Sequence, residues 1–316
     1  MTNKERYAEW CARIGNVPLM MQPWWMDAVC AGKQWDVLLV EDGAGKIKGA
    51  MPYLLRKRFW QKYILMPQLT QIGGIWVDPS ITDNRWEIAQ VCQSIEKQLR
   101  DMHLSYYYQQ YAIGSLPAQA MQGLGFKLRE RTTYRIDFLT DIDQIIASFS
   151  KNKRRQLQKA VSLNTDTQLS VEDFYRFHVH CLEAQHKRIS YTREFLLVLE
   201  RKARRLDQCE ILAVRNQDGE LYAAAFLVWD RTTMYYLLPC YDPAYKDSGA
   251  SALLATEAIK MAHRKKLSFD FEGSMDSGTA RHYSQFGTTA TTYYGIEKYY
   301  RPLFRLAIWL QKLRCS

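Results

Sequence analysis

Residues 241–287, YDPAYKDSGASALLATEAIKMAHRKKLSFDFEGSMDSGTARHYSQFG, read as loop, helix, strand and short helix in that order. The loop is Lys246-Asp-Ser-Gly249-Ala-Ser251. Gly249 suits a positive φ and a close backbone approach, and Asp247 or Ser248 can cap the helix that follows. Ala250, Leu254, Ala258 and Met261 recur at helical spacing and form one apolar face. A helix starting at such a loop points free N–H groups and the positive end of its dipole at whatever lies there; phosphate is the natural occupant. In Leu267-Ser-Phe-Asp-Phe-Glu272 apolar and polar residues alternate, which predicts a strand with one buried face. Asp270 and Glu272 stand at its end, Gly273-Ser274 turns the chain, and Tyr283 lies four residues before Gly287.

These residues resemble the GNAT acyltransferases, in which a phosphate loop of the form Q/R-x-x-G-x-G/A leads into a helix, then a strand, then a helix bearing Tyr with Gly four residues on. Lys246 stands where that pattern has Arg or Gln, and Ser251 where it has the last small residue. FDFEGSM…HYSQFG is similar to the FemAB-like branch, whose members carry two GNAT-like domains in one chain. The resemblance implies an α/β fold of mixed sheets in two tandem GNAT-like domains. It implies a donor held by Lys246, Ser248, Gly249, Ala250 and Ser251, and a phenol at Tyr283 that protonates the departing thiolate or hydroxyl. Asp270 or Glu272 would orient or deprotonate the acceptor amine. Members of the branch that use aminoacyl-tRNA carry Phe-Lys where this chain has His282-Tyr283. That difference favours acyl-CoA as donor, the basic segment described below favours aminoacyl-tRNA, and both remain open.

The 316 residues are enough for two domains, each with its own core. No apolar run approaches the roughly 18 residues of a membrane span. The polar start, Met-Thr-Asn-Lys-Glu-Arg, lacks the apolar stretch of a signal peptide, so a cytoplasmic protein is expected. Seven scattered cysteines without a C-x-x-C pair predict free thiols, with neither disulfides nor a zinc site. His178 and His180 lie two apart, which on a helix sends them to different faces, and no metal is expected. The formal charge of +10 favours an anionic partner such as a nucleotide, coenzyme A, tRNA or an anionic membrane surface. DNA is not among the expected partners.

Residues 1–34 read as helical pieces broken at Pro18 and Pro23, with Trp24-Trp25 as a packing anchor. Strands are expected at 35–41, 47–55, 63–66, 72–77, 104–109 and 132–138, and helices at 84–103 and 118–123. The pattern then returns. Residues 35–40 match 209–214 and 47–50 match 221–224 at an offset of 174; 104–108 match 267–271 at 163; Thr133 to Ile136 match Tyr293 to Ile296 at 160. Matches in one order at a nearly constant offset predict a duplication. The copies differ where chemistry is expected: Val77 to Asn84 has no glycine, and Met121 takes the place of Tyr283. Residues 1–145 therefore read as a degenerate domain on the acceptor side, and 146–316 as the donor domain.

Between them lies a basic helix start, Ser150 to Ala160, in which Lys153, Arg154 and Arg155 could neutralise phosphates of a nucleotide, a tRNA end or coenzyme A. Helices are expected at 171–187 and 192–205, and Arg188 and Arg193 beside their junction are candidates for an acceptor carboxylate or phosphate. An apolar stripe over Leu303 to Leu313 predicts a helix that docks on the second domain or touches a membrane surface. The acceptor would be an amine of a cell-envelope precursor or a small molecule. The competing expectation is a catalytically silent tandem module that binds an anionic ligand or a protein.

Overall fold

Local signals start the first elements. Thr2 Oγ1 accepts from Glu5 N while Glu5 accepts from Thr2 N, a capping box that opens α1 (Asn3–Ile14), and Gly15 closes it at φ +67°. Pro23, expected as a break, instead occupies the first turn of α2 (Pro23–Val29), where its missing N–H costs no hydrogen bond. The computed structural model describes residues 1–30, 35–58, 60–273, 277–301 and 304. Apart from Phe304, the residues of the helix expected at 303–313 lie outside them, as does the turn residue Ser274.

The chain forms two units, Met1–Arg131 with the segment beginning at Thr292, and Thr132–Thr291. In the first, α1 and α2 are followed by β1 (Trp35–Glu41), β2 (Ile47–Arg58), β3 (Gln61–Leu65), β4 (Trp76–Val77), α3 (Arg85–Asp101), β5 (Tyr106–Gln110), α4 (Leu116–Gly123) and the start of β6 (Lys127–Ile136). The second holds the end of β6, then α5 (Ile142–Ser148), α6 (Lys151–Lys159), β7 (Asn164–Asp166), α7 (Val171–Glu183), α8 (Arg193–Arg205), β8 (Cys209–Arg215), β9 (Leu221–Trp229), β10 (Thr233–Tyr241), α9 (Ala250–Arg264), β11 (Ser268–Asp270) and α10 (Ser277–Ser284). The last strand, β12 (Thr289–Tyr299), returns the chain to the first unit. Residue 145, where the sequence placed the division, lies within α5.

Each unit builds its sheet in the same order. In the first, β1 pairs antiparallel with β2, β2 with β3, β3 runs parallel to β5, and β5 is antiparallel to β12. In the second, β8 pairs antiparallel with β9, β9 with β10, β10 runs parallel to β11, and β11 is antiparallel to β6. The matched segments 35–40 and 209–214 thus take equivalent strands, as do 104–108 and 267–271. The final strand of each sheet is exchanged: β6, from the first half of the sequence, completes the second unit, and β12 completes the first.

Ile88, Val91, Cys92, Ile95 and Leu99 bury one face of α3 in the first core. Leu254, Ala255, Ala258 and Ile259 do the same for α9 in the second. The strand expected at 72–77 contracts to Trp76–Val77. Before it, Gly74 at φ +85° lies so close to Tyr111 that a Cβ would stand 2.5 Å from the ring. Among the described residues no helix is long and apolar enough to cross a membrane.

Candidate active site

Strands β10 and β11 pair only from Thr233↔Ser268 to Tyr235↔Asp270. Because β10 runs on to Tyr241, the two strands part beyond Tyr235. At that opening lies a cavity of about 430 Å³. Its walls are Tyr236, Pro239, Cys240 and Tyr241 of β10, His178, Cys181 and Leu182 of α7, Ser251 and Leu254 of α9, and Gly278, Thr279, His282 and Tyr283 of α10, with Gln185 and Lys187 at the α7 end. His178 is fixed by a 2.7 Å bond to the Tyr191 hydroxyl, and burial lowers its pKa to about 4.

The loop before α9 is locally determined. Asp242 accepts from Ala244 N and caps a single 3₁₀ turn, and Tyr245 stacks on Tyr222 at 3.8 Å. Ser248 Oγ donates to the Tyr245 carbonyl at 2.6 Å and accepts the Ala250 N–H at 3.2 Å. The N-cap itself is Gly249, at φ +83°, rather than Asp247 or Ser248. A Cβ on Gly249 would stand 2.1 Å from the Gln156 carbonyl oxygen, so α6 fills the space beside it. Of the five expected donor-binding residues, Ser251 reaches the cavity; Lys246 is exposed and Ala250 is buried.

Tyr283 lines the cavity and stacks on Phe271 at 4.5 Å. Burial, then the Glu272 charge, holds its phenol well above the ordinary range. Phe269 and Phe271 point into the core beside Tyr236, so strand alternation turns Asp270 to the opposite face. There it is buried, accepts from Thr133 Oγ1 and from Glu272 N at 2.8 Å, and lies 3.5 Å from Arg135 Nε. Burial raises the Asp270 carboxyl, while Thr133 and Arg135 pull it back. Glu272 sits at φ +59°, and burial followed by the Asp270 charge raises its carboxyl. Neither carboxylate lines the cavity.

The basic segment divides. Ser150 caps α6 as expected, and Arg154 Nη1 donates to the carbonyls of Ala147 and Phe149 at 2.7 and 2.8 Å, closing the end of α5. Arg155 and Arg188 are exposed, and Arg193 lies 3.9 Å from Glu172. Lys153 is buried instead. Its Nζ lies 2.9 Å from His282 Nδ1 and 3.0 Å from Gln156 Oε1, and desolvation lowers its pKa to about 8. The sequence reading passed over His282. For the burial of Lys153 a signal existed, since Lys153, Leu157 and Ala160 fall on one side of a helix at i, i+4 and i+7. Among the described residues no group of three His, Cys, Asp or Glu side chains could hold a metal ion.

Residues 127–283 match the family model described as an acetyltransferase (GNAT) domain, the class of protein that this fold and cavity define. Over nearly its whole length the chain has the fold of tandem GNAT proteins. It is similar to the crystal structure of FemX, with a TM-score of 0.74 and 13% identity over 97% of this chain and 98% of that one. A tandem GNAT protein from the clavulanic acid biosynthesis pathway gives a TM-score of 0.56 at 10% identity over 94% of both chains. L-PGS from Bacillus licheniformis gives 0.59 at 11% identity, covering 98% of this chain and 96% of that one. A search among curated proteins gave no match.

Proposed function

We propose that the protein transfers an acyl group from an acyl-CoA to an amine, and that the donor's reacting end occupies the cavity walled by β10, α7, α9 and α10. The observation carrying this reading is the parting of the parallel pair beside the start of α9. Beyond Tyr235, β10 presents a strand edge that β11 does not cover, and an extended chain with amides, such as a pantetheine, can pair with such an edge. Ser251, in the first turn of α9, stands where backbone N–H groups and the helix dipole favour phosphate. The volume, about 430 Å³, lies in the range of small-molecule sites.

Acyl-CoA is favoured over aminoacyl-tRNA because the basic segment offers little surface for a polynucleotide. Lys153 is buried and Arg154 is spent on the end of α5, leaving Arg155 with Lys151 and Lys159 exposed. The likeness to FemX and to L-PGS supports an amine of a cell-envelope precursor as acceptor, with a small amine as the alternative.

Acetyl-CoA at about 100 times its Kd should stabilise the protein by about 2.7 kcal/mol in a thermal-shift experiment. Ser251→Asp should abolish that shift by repelling phosphate, while leaving the unliganded fold as stable or more so by about 0.3–1 kcal/mol through the helix dipole. Equal shifts in both proteins would remove phosphate from the start of α9. Absence of any shift with acetyl-CoA, with longer acyl-CoAs and with an aminoacyl-tRNA mimic would leave the silent module as the better reading.

A further inference from the structure

Behind the cavity wall stands a pair of side chains for which acyl-CoA binding alone gives no reason. Lys153 is 2% exposed, and its ammonium donates to His282 Nδ1 and Gln156 Oε1 while lying 4.9 Å from the centre of the Phe286 ring. Among the described residues no carboxylate forms an ion pair with it. A buried ammonium held only by neutral partners is costly, and surface exposure would have avoided the cost. Because the lysine donates, His282 Nδ1 accepts, and the proton of the neutral imidazole is on Nε2. Nε2–H is then the remaining polar group of a residue that lines the cavity.

We propose that Lys153 and His282 form a proton relay to the leaving thiolate, with His282 touching the leaving group and Lys153 acting through it as a positioning residue and proton source. The proposal rests on the acyl-CoA reading above. The amine nitrogen forms a bond to the thioester carbon, the C–S bond breaks with its electron pair on sulfur, and the amine's surplus proton leaves to solvent. Sulfur takes the Nε2 proton as Nδ1 takes one from Lys153 Nζ. The imidazole stays neutral and ends as the other tautomer, Lys153 ends as a neutral amine, and solvent returns its proton before the next turnover.

Energetics support this route. Lys153, lowered to about 8, is a stronger acid than an alkyl thiol, so passing its proton to a departing thiolate is downhill. His282, lowered to about 4 by burial and then by Lys153, is not required to carry charge. Tyr283 is the competing donor on the same helix, and burial together with Glu272 makes its phenol a weaker acid.

The test uses the full chain labelled with ¹⁵N-histidine, as wild type and as Lys153→Met, together with unlabelled His282→Gln. Imidazole ¹⁵N shifts at neutral pH should show His282 protonated at Nε2 in wild type and as mixed tautomers in Lys153→Met. Thiol release from acetyl-CoA with a panel of primary amines should show kcat lowered by about 10²-fold in both variants with KM for acetyl-CoA unchanged. Glutamine keeps an N–H donor but cannot pass a proton on, and the melting temperature of each variant separates a loss of turnover from a loss of fold. Protonation of wild-type His282 at Nδ1, or wild-type kcat in either variant, would overturn the relay. A wild-type protein that releases no thiol with any amine would overturn the acyl-CoA reading, and the tautomers alone would then decide the pair.

Discussion

Lys153 shows how one buried charge ties stability to the site. Its folded pKa of about 8 lies below the ordinary 10.5, so between those values the unfolded chain holds a proton that the folded chain has released. Stability contributed by this group therefore rises with pH across that window, by roughly 3 kcal/mol at most. Denaturant unfolding of wild type and Lys153→Met between neutral pH and about 10 should show the rise in the difference between the two proteins. A difference that is flat with pH would place the lysine in water. The residue was legible as a cation, but the surrounding run of charges reads as a solvated face and masks the i, i+4, i+7 alignment of Lys153 with Leu157 and Ala160. Tyr283, expected from the resemblance to protonate the leaving group, lines the cavity. Its weak acidity was not legible, since that follows from Phe271 and Glu272, which only the fold brings beside it.

At the scale of elements, Gly249 was legible as a glycine with a purpose, and its purpose proves to include helix packing. The structure sets the Gln156 carbonyl of α6 where a Cβ would stand. From the sequence, Gly249 was expected only to let a donor approach the backbone. The geometry predicts for Gly249→Val a loss of about 2–5 kcal/mol, from overpacking and a branched residue at positive φ. Chemical denaturation measures it, and a loss under about 1 kcal/mol would mean that α6 yields easily. Of the elements, α9 was plain from its apolar period and α8 from Thr192 at its N-cap. Strand β10 escaped notice: Thr233 to Leu238 are all buried, so no alternation marks them, and Pro239 argues against a strand. Yet β10 forms one wall of the cavity, so the site could not be drawn from sequence alone.

For the whole molecule, the duplication was readable because each repeat carries the same run of strands, whereas the exchange of β6 and β12 leaves no local signature. Pairing across a sheet depends on which chain segment reaches the edge, and the burial along β6 and β12 follows no period-2 pattern that would name the partner. The exchange predicts how the chain can be cut. A fragment of residues 132–291 keeps the β6 pairing with β11 and the Thr133 and Arg135 contacts of buried Asp270, and it should unfold cooperatively on heating. A fragment of residues 146–316 loses all three and should show no cooperative transition. The opposite ranking of the two fragments would mean that β6 does not belong to the second unit.

The most direct test of the central claim is amide hydrogen exchange of the full chain with and without acetyl-CoA. The account predicts added protection over residues 236–241 of β10, 249–254 at the start of α9 and 277–284 of α10, which together wall the cavity. Saturating acetyl-CoA that leaves these segments unchanged, or protects others instead, would contradict it.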